Sequence, residues 1–97
     1  MAKLKNRTVA EQRVREYIID SMQKSIETYG MTLADTVKMQ EQAAEQINPR
    51  IDWDYLYEYR KCRTDLDRLH IAVGVRVEGM SIDALSNINQ SLKLYKK

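Results

Sequence analysis

The stretch QAAEQINPRIDWDYLYEYRKCR, residues 42–63, has the strongest influence on the predicted fold. It joins an alanine-rich segment, an Asn48-Pro49 break and a segment rich in tyrosine and arginine. A helix with small residues, a tight turn and a following helix with long polar side chains are the parts of a helix-turn-helix. The stretch therefore predicts a helix-turn-helix-like middle section, although the turn lacks its usual glycine and its connection to Asp52 is long.

Two helices are predicted before the proline. Thr8 with Glu11 forms the pattern of a capping box, and apolar residues then recur at helical spacing over residues 9–29. Thr32 begins a second amphipathic helix, and the Asn48-Pro49 break ends it because proline cannot continue a helix.

Two more helices are predicted after the proline. Asp52 is expected to cap a long helix that reaches about Gly79, with apolar residues along one face, although the valines of residues 73–77 also alternate as in a short strand. Ser81 caps a last helix, whose apolar stripe is expected to form an oligomer interface. That stripe consists of Ile82, Leu85, Ile88, Leu92 and Tyr95. The predicted fold is all-α, a small four-helix domain.

Composition limits the classes of protein that fit. With 97 residues the chain is expected to form one domain, residues 8–97, after a basic flexible tail of residues 1–7. A core of this size favours a homo-oligomer. No apolar run approaches the roughly 20 residues that a membrane span requires, so we predict no membrane partner and a cytoplasmic location.

The chain carries no pattern of a catalytic or metal centre. A single cysteine and a single histidine cannot form an internal disulfide or a cysteine-based zinc site. Carboxylates two residues apart, such as Asp52 and Asp54, diverge on a helix and cannot share one ion. Nucleophilic-serine and phosphate-loop patterns are also absent from the sequence. We therefore predict that the protein is not an enzyme and needs no cofactor or metal.

Nucleic acid would have to bind to local clusters of positive charge, since the net charge is only +2. Arginine forks onto guanine edges or phosphates, and tyrosine hydroxyls reach phosphate oxygens. The candidate DNA-binding residues are Lys3, Lys5, Arg7, Arg50, Tyr55, Arg60, Lys61 and Arg63. Against this, Asp52, Asp54 and Glu58 in the same segment would repel a phosphate backbone.

A second interpretation of the middle section involves no nucleic acid. Trp53, Leu56 and Tyr59 would be core residues, and the charged residues beside them would form a solvated face. Residues two apart on a helix face about 200° apart, so at least one of the three tyrosines of residues 55–59 must be exposed. Exposed tyrosines are common in protein interfaces.

Over residues 26–75 the order of features resembles the small subunit of phage terminases. One helix closes on IETYGMTLAD, an Asn-Pro break follows a second helix, and a long helix ends in LDRLHIAVGV. The matching positions are Gly30, Met31, Asp35, Asn48, Pro49, Leu69, Gly74 and Val75. The resemblance implies an oligomeric, non-catalytic subunit that engages double-stranded viral DNA and passes it to a packaging motor.

Two functions are therefore expected from the sequence. The first is a non-catalytic helical DNA-binding subunit, similar to a terminase small subunit or a phage-type regulatory protein, that recognises DNA as an oligomer. The alternative is a small helical adaptor or inhibitor that docks a protein partner. DNA binding should weaken steeply as salt rises, whereas a tyrosine-centred protein interface should change little.

Overall fold

The computed structural model describes the backbone of residues 2–95 and the side chains of residues 9–92. The described backbone forms α1 (Ala2–Tyr29), α2 (Leu33–Ile47), a 3-10 helix (Trp53–Tyr55), α3 (Tyr57–Lys61), α4 (Asp65–Glu78) and α5 (Ile82–Tyr95). It contains no strand, and residues 73–77 are helical. The all-α prediction is confirmed, with five α-helices in place of four. None of the described helices has both the length and the apolarity to cross a membrane.

The core lies where α4 packs against α1 and α2, and α5 adds to it from the side of α1. Full burial of an aliphatic side chain stabilises the fold by about 1.5–3 kcal/mol, so these residues dominate the stability. Helical spacing alone had placed most of them on inward faces. The buried core cluster consists of Val14, Ile18, Ile19, Val37, Leu69, Val73, Val77, Met80 and Leu85.

Two of the predicted helix starts are confirmed by their capping hydrogen bonds. The backbone N–H of Asp35 donates to the Thr32 hydroxyl over 3.1 Å. The backbone N–H of Ala84 donates to the Ser81 hydroxyl over the same distance, 3.1 Å. Each bond satisfies a donor that the first turn of a helix leaves without a partner. Gly30, with φ +67°, ends α1 in the left-handed region that favours glycine.

The predicted start of the first helix is wrong. The α1 backbone begins at Ala2 and continues through Thr8, so the helix does not start at Thr8. A capping pattern is a local preference, and helical residues that precede it can override it. The segment predicted as a tail is therefore helical from Ala2 onward, and whether it moves independently of the domain stays a prediction.

The single long helix predicted after Asp52 is also wrong, because the chain leaves the helical conformation twice. Leu56 (ψ 110°) and Cys62 (ψ 128°) are extended. The Asp52 carboxylate accepts the N–H of Asp54 over 3.0 Å and caps only the 3-10 helix. Thr64 begins α4, its hydroxyl accepting the N–H of Asp67 over 3.2 Å. Short polar side chains thus bind the backbone locally and compete with a continuous helix.

Residues 48–64, called the connecting segment below, join two helices that run in the same general direction. Gln40 of α2 accepts a hydrogen bond from Arg76 of α4, and Gly79 after α4 approaches Ile47 at the end of α2. The later residues of α2 therefore lie beside the later residues of α4. The connecting segment must return from the end of α2 to the start of α4 along the length of the pair. A helix-turn-helix places its second helix directly after a tight turn. The predicted helix-turn-helix section is not formed.

Candidate binding surface on the connecting segment

The connecting segment and the start of α4 enclose a cleft that opens to solvent and has a volume of about 520 Å³. We call it the aromatic cleft. Pockets of roughly 300–1,000 Å³ are typical of small-ligand sites, and this one can hold one or two amino-acid side chains. The lining residues are Trp53, Asp54, Tyr55, Tyr59, Arg60 and Arg68.

Two of the aromatic rings that line the aromatic cleft contact each other. The ring centroids of Trp53 and Tyr59 lie 4.8 Å apart and their planes are inclined by 51°. Such a pair contributes about 0.5–1.5 kcal/mol beyond the area that it buries. Because Trp53 belongs to the 3-10 helix and Tyr59 to α3, the contact holds the two short pieces together.

Tyr59 also fastens the connecting segment to α2. Its hydroxyl donates a hydrogen bond to the Glu41 carboxylate, which lies on the second half of α2. Burial raises the pKa of Tyr59, and the hydrogen bond to Glu41 raises it further. The phenol therefore stays neutral, and stays a donor, through the physiological pH range.

Arg68, near the start of α4, also lines the aromatic cleft. Its Nη1 donates to Asp65 Oδ1 over 2.8 Å, and its Nη2 donates to the Cys62 carbonyl over 3.2 Å. Both charged side chains are more than a third exposed, so the ion pair itself adds little to stability. The bond to Cys62 is the more informative one, because it ties α4 to the point where α3 ends.

Two hydrogen-bond donors of the aromatic cleft have no partner among the described residues. The indole Nε1 of Trp53 is buried and makes no hydrogen bond. The Arg60 side chain is exposed and makes no ion pair. Buried polar groups are normally hydrogen-bonded, but this indole N–H is covered from solvent, so a ligand could reach it only if the Trp53 ring shifted, whereas the Arg60 guanidinium is accessible directly.

A second feature, the tyrosine surface, consists of Tyr55, Tyr57 and Lys61. Tyr55 is 79% exposed and Tyr57 is 71% exposed, which confirms that at least one of the three tyrosines faces solvent. The Lys61 ammonium lies 4.0 Å from the centroid of the Tyr57 ring, a cation–π contact. Trp53, Leu56 and Tyr59, the alternative core residues, are half-buried and lie outside the main core cluster.

The predicted DNA-binding residues do not form one surface on a reading helix. Arg50, Arg60, Lys61 and Arg63 are exposed on the connecting segment, spread over a turn, α3 and the extended residues after it. Tyr55 and Arg60 meet at the aromatic cleft. Asp52, Asp54 and Glu58 are exposed among them, as the sequence indicated. The side chains of Lys3, Lys5 and Arg7 lie outside the described residues.

The stripe predicted as an oligomer interface is used largely inside the chain. Leu85 is 1% exposed and Ile88 packs against the core cluster, because α5 lies against α1. Leu92 is half-buried, and only Ile82, 54% exposed, is open to solvent. The side chain of Tyr95 is outside the described part. Leu85 is therefore a core residue that a second subunit cannot reach, whereas an interface formed by the more exposed members of the stripe stays a prediction.

Sequence reasoning missed two residues that shape the cleft, Arg68 and Glu41. The pattern Thr64-x-x-Asp67 is a helix-start signal that would have placed Arg68 in the first turn of α4. No sequence signal pairs Glu41 with Tyr59, since that contact depends on how the connecting segment returns across α2. Within the described side chains, no three of His, Cys, Asp and Glu gather closely enough to hold a metal ion.

No protein family model, no curated protein and no solved structure matches the chain. The resemblance to phage terminase small subunits is neither supported nor contradicted by this finding. What that resemblance implies about DNA therefore remains a proposal. Function has to be inferred from the residues of the connecting segment.

Proposed function

We propose that the chain is a non-catalytic helical binding module that docks a protein partner through the tyrosine surface and the aromatic cleft. The observation that carries this proposal is the exposure of Tyr55 and Tyr57, 79% and 71%, beside a cleft lined by tryptophan and arginine. Tyrosine, tryptophan and arginine are the residue types that most often dominate the binding energy of protein interfaces.

The way the connecting segment is held supports docking. Residues 51–64 include no buried side chain, yet the segment is fastened at Tyr59 to α2 and at Cys62 to α4. A surface that is ordered before it binds loses less conformational entropy on association. Rigid aromatic side chains on such a surface are suited to act as anchors for a partner.

The charge pattern of the same segment favours a protein over a polyanion. Three exposed carboxylates lie between Arg50 and the three exposed cations that follow, so a phosphate backbone that spans the segment would also meet the carboxylates. Mixed charge is ordinary at the rim of a protein interface, where it sets orientation and association rate. The cations are Arg50, Arg60, Lys61 and Arg63, and the carboxylates are Asp52, Asp54 and Glu58.

The test is affinity capture of the tagged full chain from cells that produce it, with quantitative mass spectrometry of the proteins retained. We expect a partner that the wild-type chain retains and that the double variant Tyr55→Ala, Tyr57→Ala loses. The matched control is Tyr29→Ala, because Tyr29 is 77% exposed but lies at the end of α1. Equal retention by the double variant and the control would contradict docking at the tyrosine surface.

A second candidate function is DNA binding by an oligomer, as the terminase-like resemblance implies. The observation that favours it is the group of three exposed cations at the end of α3, Arg60, Lys61 and Arg63. Light scattering with a random DNA duplex at low and moderate salt tests it. Under this function a defined oligomer takes up DNA and releases it as salt rises.

The DNA candidate also makes a prediction about residues. Replacing Arg60, Lys61 and Arg63 by alanine should abolish a mobility shift and leave the mass of the protein in light scattering unchanged. A shift that survives the triple substitution would exclude these residues as the DNA contacts. Docking would be favoured over DNA binding if a protein partner is retained at high salt and the protein causes no DNA mobility shift at low salt.

A further inference from the structure

We infer that the aromatic cleft receives an acidic side chain, Asp or Glu, from an apolar peptide segment of the protein partner. This inference rests on the proposed docking function and assigns the chemistry of the group that is docked. It is carried by the hydrogen-bond donors and the charge that meet in the cleft between the 3-10 helix, α3 and α4.

Donors outnumber acceptors in the aromatic cleft. The guanidinium of Arg60 is open, and the Trp53 Nε1–H, which has no partner and is covered from solvent, can join it when the indole ring shifts on binding. Arg68 has five N–H groups. One on Nη1 donates to Asp65 and one on Nη2 donates to the Cys62 carbonyl. A carboxylate accepts up to about four hydrogen bonds and donates none, so it complements this set.

The arrangement of charge favours one carboxylate over a chain of phosphates. The charge of Arg68 is partly compensated by Asp65, whereas Arg60 has no acidic partner among the described residues. Asp54 lines the same cleft and is exposed. A single anion can sit beside Arg60 and avoid Asp54, but a polyanion that crosses the cleft would meet both.

The aromatic walls indicate what should flank the acidic side chain. The rings of Trp53 and Tyr59 line the cleft in contact with each other, and the exposed ring of Tyr55 lines it as well. Apolar side chains next to the carboxylate would cover these rings and exclude water. Excluding water strengthens the charge-assisted hydrogen bonds made inside.

Trp53 allows the cleft to be tested directly, because it is the only tryptophan in the sequence. The probes are pools of random heptapeptides that lack tryptophan and tyrosine and differ only at the fixed central position, which is Glu, Gln or Lys. Binding is followed by the fluorescence of Trp53 and by the NMR resonance of its indole N–H in the full chain.

We expect the Glu pool to shift both signals at a concentration about tenfold lower than the Gln pool requires, the factor typical of one charge-assisted hydrogen bond. The Lys pool should have no effect. Arg60→Gln should remove the preference for Glu. Arg13→Gln should keep it, because Arg13 is an exposed arginine on α1, away from the cleft.

Equal responses to the Glu and Gln pools, a stronger response to the Lys pool, or no response to any pool would overturn the acidic assignment. A stretch of oligothymidylate that acts at lower concentration than the Glu pool would overturn it in favour of nucleic acid. The partner could be lost on substituting Tyr55 and Tyr57 while the peptide pools show no preference. That outcome would support the docking proposal and reject only the assignment of a carboxylate to the cleft. A Glu preference with no captured partner would contradict docking instead.

Discussion

The pair formed by α2 and α4 differs from the connecting segment between them in how each is stabilised. The two helices bury Val37, Ala44, Leu69, Val73 and Val77 almost completely. Residues 51–64 bury no side chain and depend on a ring contact, a few hydrogen bonds and helix caps. The chain thus combines a core that is stabilised by buried apolar area with a surface that is stabilised by specific contacts. The two should respond differently to substitution.

The largest effect is expected at Leu69. Leu69→Ala removes a fully buried side chain of α4, 0% exposed, and should lower the free energy of unfolding by about 2–5 kcal/mol. Leu66→Ala is the matched control, because Leu66 lies on the same helix and is 40% exposed. It should cost well under half as much in urea denaturation. Similar costs at the two positions would mean that the core is misassigned.

Gly79 tests the contact between the ends of α2 and α4. A Cβ at this position would lie 2.7 Å from Cγ2 of Ile47 and 3.2 Å from Cβ of Asn48. Gly79→Ala should therefore destabilise the protein by about 1–3 kcal/mol in thermal or urea unfolding, and Ile47→Ala in the same chain should restore part of the loss.

The control for Gly79 is Gly74→Ala within α4. There the new Cβ would lie 3.3 Å from Cζ of Arg15, the end of a long side chain that donates to the His70 carbonyl over 3.2 Å and has to yield by only a few tenths of an ångström. Alanine is the better helix former by about 1 kcal/mol, so this substitution should be neutral or stabilising. If both glycine substitutions destabilise equally, close packing is not the reason at Gly79.

Thr64 tests where the connecting segment ends. Thr64→Ala removes the hydroxyl that accepts the Asp67 N–H and should cost about 1 kcal/mol of unfolding free energy. Thr64→Ser keeps the hydroxyl and should retain most of the stability. A chain in which one helix ran through residues 52–79 would have no cap at Thr64, and alanine would then be harmless.

The smallest effect is expected at Tyr59, where the connecting segment meets α2. Tyr59→Phe removes the hydrogen bond to the Glu41 carboxylate and should cost about 0.5–1 kcal/mol, less than a fully buried charged acceptor would give, because Glu41 is half-buried and water can replace the phenol. Tyr55→Phe should cost nothing measurable, since the Tyr55 side chain is 79% exposed.

The Tyr59 hydrogen bond should also appear in the pH dependence. The folded pKa of Tyr59 lies above the unfolded value of about 10, so its contribution is complete below pH 10. That contribution is lost as pH rises above 10 toward the folded pKa. The stability difference between wild type and Tyr59→Phe should shrink accordingly at high pH. A difference that does not depend on pH would contradict the raised pKa.

Much of the regular part of the fold could be predicted from the sequence. The starts at Thr32 and Ser81 and the stop at Gly30 follow from local chemistry, and apolar spacing identified the buried faces of α1, α2 and α4. The two breaks in the long helix predicted after Asp52 have one cause. The same spacing continues through Leu56 and Cys62, and periodicity cannot detect a break that local hydrogen bonds impose on an otherwise helical pattern.

The candidate site was harder to predict than the core. Exposure of a tyrosine followed from helix geometry, and the segment that carries the cleft was the one the sequence singled out. The pairing of Trp53 with Tyr59 and of Tyr59 with Glu41 could not be predicted, because it requires the path of the chain after Pro49. The burial of Leu85 could not be predicted either, because no local feature of the sequence indicates that this side chain of α5 turns toward α1.

The shared direction of α2 and α4 has a consequence for the length of the chain between them. The connecting segment must travel roughly the length of α4, about 21 Å at 1.5 Å per residue. About seven extended residues would cover that distance. Residues 48–64 are more than twice as many, and the surplus is folded into the 3-10 helix and α3. The connection is thus longer than the distance requires, and the additional residues are those that form most of the cleft.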